Sequence, residues 1–224
     1  MKNDFAARVA GWFFILSGAL FWGGWMLVPE HTGQYFQPDI FPAIHKHLAY
    51  WISMYRMHLF GVVLSVLAVA ALGSLVAESP ARVLVWPGAT VMAGGMFVTA
   101  VAGAFYYHFG AWGGLVYGEK TLAERQALVD SLLLQSEYLA CLTRFGHVFS
   151  GLGLLVLAWG LMRWKLVPKY LGVWAAAMGV LAMGITMAMP EYPVLYAPVF
   201  HAFPFWMIAM GVTIKKHGLN AAVA

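Results

Sequence analysis

Long apolar stretches separated by short polar ones dominate the chain. Continuous apolar runs cover residues 11–28, 57–77, 84–107, 145–162, 170–189 and 197–214. Each comes close to the roughly 20 residues that carry a helix across about 30 Å of hydrocarbon at about 1.5 Å per residue. The runs are continuous and not alternating, and a segment in lipid must satisfy its own backbone hydrogen bonds, so helices are expected and strands are not. The pattern predicts an all-α fold: a polytopic membrane protein, a six-transmembrane-helix bundle forming one domain over residues 1–224. The first run lacks a small-residue cleavage site and is read as a retained helix.

The connections are unequal. ESPAR joins the second and third runs and WKLVPK the fourth and fifth, whereas residues 29–56 and 109–144 form long, aromatic-rich connections on the other side. In the second of these, Thr121 followed three residues on by Glu124 is a capping-box start for an amphipathic helix. Its apolar positions Leu122, Leu128, Leu132 and Leu139 predict an interfacial helix lying over the outer end of the bundle. FPAIHKHLAYWISMYRMH predicts a second amphipathic segment running into the second span.

Composition agrees with this architecture. The 224 residues are 62% hydrophobic and only 10% charged, too few charges to cover a soluble domain of this size. With the N-terminus inside, eight Lys and Arg fall on the inner side and five on the outer, which predicts cytoplasmic N- and C-termini in a bacterial inner membrane. The formal charge of +4 then reflects topology, and no nucleic acid is expected as a partner. Trp12, Trp86 and Trp164 at inner span ends, and Trp25, Trp51 and Trp112 at outer ones, fit an interfacial aromatic belt. Cys141 is the single cysteine, so an internal disulfide and a thiolate metal cluster are both excluded.

Candidate chemistry concentrates in histidine. His58 opens the second span, His108 closes the third, His147 sits in the first turn of the fourth and His201 opens the sixth, all toward the outer side. Counted by helical rise, His147 lies about 24 Å from the inner edge and His201 about 21 Å, inside the hydrocarbon, where ionisable groups are costly and usually paired or functional. A faint similarity links YRMHLFGVVLSVLAV with TRFGHVFSGLGLLVLAW, each with an arginine before a histidine and a phenylalanine two positions after it. His31, His45 and His47 lie in the connections and read as solvent-facing. His47 would share a face with His58 only if one continuous helix joined them.

Two deep histidines on facing helices suit the axial positions of a b-type haem, which also needs room beside the ring and cations near its propionates. His147 and His201 are the preferred ligands, with His58 or His108 replacing one if the helix order requires, and Arg144 and Arg56 are expected at the propionates. A histidine-bound metal ion (zinc, iron or copper), with Glu137 or Glu191 as carboxylate or general base, is the rival, although no HExxH motif supports it. No Asp, Glu, Lys or Arg lies in mid-span, which argues against ion-coupled transport, and the inner half of the bundle has no histidine to hold a second haem. The expectation is an electron-transfer protein in the lipid bilayer with one outer haem, exchanging electrons between a quinone pool and an outer redox protein. The alternative is an accessory subunit packed among other membrane subunits.

Overall fold

The computed structural model describes residues 2–28, 40–188 and 193–219. The described residues form seven α-helices and one 3-10 turn, and six of these helices are long and apolar enough to cross a membrane. In chain order they are α1 (Lys2–Met26), α2 (Ile40–Lys46), α3 (Leu48–Leu75), α4 (Arg82–Tyr117), α5 (Leu122–Arg163), α6 (Lys169–Ala188), the 3-10 turn Pro193–Tyr196, and α7 (Ala197–His217). Large apolar side chains such as Phe60, Phe97, Trp159 and Val180 face outward around the bundle, as lipid-facing positions should.

The six long helices form a ring in the order α1, α3, α4, α5, α6, α7, with α7 packing back against α1. Glycines set how closely neighbours approach, since a missing Cβ lets one backbone lie against another in the membrane. Gly88 and Gly95 on α4 interlock with Gly146 and Gly153 on α5, each pair seven residues apart, so small residues recur on one face every second turn. A Cβ on Gly153 would strike the Met92 backbone, and one on Gly95 would strike Ser150. Gly11 meets Gly211 where α1 crosses α7, and Gly151 meets the Gly179 carbonyl where α5 crosses α6.

α4 and α5 are longer than a bilayer requires. Their 36 and 42 residues correspond to about 54 and 63 Å, so both project beyond the other spans at what is called here the extended end. The helix expected to start after Thr121 does so, with the Thr121 hydroxyl accepting from the Glu124 N–H and the Glu124 carboxylate accepting from the Thr121 N–H at 2.8 Å. It does not lie across the bundle as a separate element. Nothing between Leu122 and Phe145 breaks a helix, so the segment runs straight into the fourth span as α5. Its apolar face, Leu128, Leu132 and Leu139, is buried with Phe41, Ile44, Trp51, Tyr55 and Tyr106.

The other amphipathic segment divides in two. The chain breaks at His47, so α2 sits apart, its Phe41 and Ile44 against Gly113 and Gly114 of α4, while α3 continues into the second span. His47 therefore has no continuous helix that would align it with His58. Trp51 is a second departure: it is 1% exposed and clusters with the rings of Tyr55 and Tyr107, all three near-parallel and within 6.0 Å of one another, so it belongs to the interior and not to a surface belt. The fifth span's expected end at Met189 lies outside the described residues.

Candidate functional site

Among the described residues, one apolar core lies at the extended end, a larger one toward the opposite end, and a small third one gathers Phe21, Val62 and Ala100. Between the first two lies a cavity of about 400 Å³ whose wall takes residues from all six spans. Three of the predicted histidines reach it: His58 on α3, His147 on α5 and His201 on α7. These are alternate helices of the ring, and all three run away from the extended end; His58 and His201 lie near the starts of α3 and α7, whereas His147 reaches the same cavity from the middle of α5, which starts farther out. The wall contains no Asp, Glu, Lys or Arg among the described residues.

His58 is buried and its orientation is fixed. Its Nδ1–H donates to the Phe21 carbonyl at 2.8 Å, since a carbonyl can only accept. This contact needs α1 and α3 close together. Gly24 provides that closeness, because its Cα lies directly against the His58 backbone, and Gly61 does the same against Phe21. Rings of Phe21, Trp25, Tyr55 and Phe200 surround the imidazole, with centroids 4.7, 5.3, 5.7 and 6.1 Å away. The tautomer this imposes leaves Nε2 without a proton.

His147 is held differently. Its ring lies flat on Tyr196, centroids 3.8 Å apart and planes within 5°. Gly146, its neighbour, seats this turn of α5 against Thr99 of α4. No hydrogen bond reaches its ring nitrogens from the described residues. Trp51 Nε1 is the one fully buried side-chain nitrogen or oxygen left without a partner among those residues. The His58 Nε2 and both His147 nitrogens consequently keep contact with the cavity space. His201 is half-buried, edge-on to Phe200 at 5.5 Å, and Tyr55 and Tyr196 also line the wall, their hydroxyls without a hydrogen-bond partner among the described residues.

Other predicted site residues lie elsewhere. His108 is exposed and packs edge-on against Phe109, because α4 turns that face outward. Arg56 is exposed and donates from Nε to the Tyr107 hydroxyl at 2.6 Å, two residues from His58 and so on the opposite side of α3. Arg144 is half-buried, engaged in an interaction of its own, and sits one turn beyond His147 outside the cavity wall. Glu137 is exposed, and His45 hydrogen-bonds through Nδ1 to the Gly114 carbonyl at 2.8 Å. His31 and Glu191 lie outside the described residues. Among the described residues, no three His, Cys, Asp or Glu side chains come close enough to share a metal ion.

No family profile, curated protein or solved structure matches this chain. The site is therefore interpreted from its own geometry. Tyr55 and Tyr196 are wall residues that sequence reasoning missed, and Tyr196 carried a usable signal: it stands five residues before His201, at the start of the same helix. What the arrangement can accept is an extended, largely apolar, uncharged-walled ligand with atoms that bind imidazole nitrogen.

Proposed function

We propose that the cavity binds one b-type haem and that the chain is a membrane electron-transfer protein. The axial pair in this reading is His58 and His147, with His201 displaced from the preferred pair because it is the least buried of the three. The observation that carries the reading is the His58 Nδ1–H bond to the Phe21 carbonyl. A metal-ligating histidine ordinarily anchors its second nitrogen in this way, which fixes the tautomer and raises the basicity of the ligating one. His147, held flat by Tyr196 with free nitrogens toward the cavity, supplies the second imidazole. The small side chains Ala102 and Ala182 in the wall leave room for a flat ring. Arg144, one turn toward the extended end, lies in the direction that haem carboxylates would take to reach water.

In this reading the extended end faces the periplasm and both termini face the cytoplasm of a bacterial inner membrane, so a single haem near that end serves an outer redox partner. The test is an absorption spectrum of the purified protein from haem-supplemented cells. A Soret band with split bands on reduction is expected, lost in His58→Ala and His147→Ala and retained in His45→Ala and His108→Ala. A colourless protein that takes up no haem on titration would overturn the reading.

A further inference from the structure

The ring of spans is not equally tight all round. The α1–α7, α1–α3, α4–α5 and α5–α6 seams each have a glycine lying directly against the neighbouring backbone, and at α3–α4 Gly73 and Gly103 rest on Trp86 and Leu59. No such glycine occurs at the α6–α7 seam among the described residues, and those two helices touch more sparsely than any other neighbours in the ring. Their tie is the Trp206 Nε1–H bond to the Leu171 carbonyl at 3.0 Å. Leu171 lies at the start of α6, at the end of the bundle opposite the extended end and two turns before the wall residue Met178, so the seam is pinned below the cavity and not beside it.

The groups flanking the loose stretch have one chemical character. α6 contributes Met178 and Ala182 to the wall, while the 3-10 turn and α7 contribute Tyr196, Ala197 and His201. Among the described residues the Tyr196 hydroxyl and the His201 imidazole have no hydrogen-bond partner, and the wall there holds no Asp, Glu, Lys or Arg. Pro204, inside α7, has no N–H to give to the Phe200 carbonyl one turn back, beside His201. A hydrocarbon ligand would leave these polar groups unmatched, and a charged headgroup would find no counter-ion. A flat, uncharged ring with oxygens on opposite edges and an apolar tail satisfies both conditions. That is the chemistry of a membrane quinone or quinol.

We propose that the α6–α7 seam is a lateral passage through which a quinone reaches the cavity from the bilayer, its ring held between Tyr196 and His201 and its tail left in the seam. This deepens the haem reading by naming the membrane-side redox partner, and it rests on that reading for electron transfer but not for binding.

The experiment uses the full chain in quinone-free nanodiscs with a photoreactive azidobenzoquinone bearing a decyl tail, followed by peptide mapping. Label is expected on residues 178–182 and 196–203, displaced by excess decylbenzoquinone but not by decanol. Tyr196→Phe and His201→Ala should each weaken labelling about fivefold, the worth of one hydrogen bond. His108→Ala, exposed outside the cavity, should label like the unsubstituted protein. Label confined to other helices, equal displacement by decanol, or indifference to both variants would overturn the proposal. Haem content measured on the same samples separates the two ideas: seam labelling without haem sinks the haem reading alone, and haem without seam labelling sinks this one.

Discussion

Replacing Gly24 with alanine adds one methyl group where α1 meets α3, and the structure fixes what that methyl encounters. The new Cβ would lie against the His58 backbone nitrogen, 2.7 Å from the His58 Cα and 2.9 Å from its Cβ. Backbone cannot swing aside as a side chain can, so α1 must move away by about 1 Å to restore ordinary carbon contact. The same movement would stretch the His58–Phe21 bond from its present 2.8 Å to about 3.8 Å, past hydrogen-bonding range. Losing that bond in a buried site costs about 1–3 kcal/mol, and the strained helix pair about as much again. Alanine's better helix propensity returns only about 0.5–1 kcal/mol, leaving a net loss of about 1–5.5 kcal/mol. Gly94→Ala is the matched control, because nothing lies within 4 Å of its Cβ position. Thermal unfolding in detergent, followed by helical circular dichroism, should place Gly24→Ala well below the unsubstituted protein and Gly94→Ala level with it or above. If the two variants melt together, the close α1–α3 crossing does not hold His58 in place and the ligand argument loses its geometric basis.

In a Cys141→Ser background, cysteines at Ser79 and Lys165 should resist a membrane-impermeant thiol reagent in intact cells while one at Lys120 reacts; the opposite pattern would put the extended end in the cytoplasm. Thr121→Ala removes the capping box that starts α5 and should cost about 1 kcal/mol, seen as faster amide exchange in the first turn of α5 with the rest of the helix unchanged. Trp206→Phe removes the bond to the Leu171 carbonyl and should destabilise the protein by about 1 kcal/mol. In the labelling assay it should raise quinone-analogue access through the α6–α7 seam, and a drop in access would mean that the seam depends on that bond for its shape.

How far the sequence reaches differs between depth and rotation. The number of spans, their helical character, the α5 start at Leu122 and the gathering of histidines at one end all follow from hydropathy and a capping box. These are one-dimensional quantities, read along the chain and therefore along the membrane normal. Which way each helix faces is not one-dimensional. A span that is apolar all round has almost no amphipathic signal to fix its rotation, so the sequence does not say which of His58, His108, His147 and His201 face inward. Glycine contacts between neighbours decide it. Gly24 and Gly61 turn His58 inward against α1, Gly146 and Gly95 turn His147 inward beside α4, and the same α4 rotation leaves His108 facing outward. Arg56 and Trp51 follow the same logic: both lie on α3 near His58, yet one is carried to Tyr107 at the surface and the other into the interior. Helix fusion was likewise decided in three dimensions, because the Leu128–Leu139 face found its partners in α2 and α4 and so had no reason to fold down onto the bundle end. Depth came from the chain, and facing came from close packing, because only the neighbouring backbone distinguishes one side of an all-apolar helix from another.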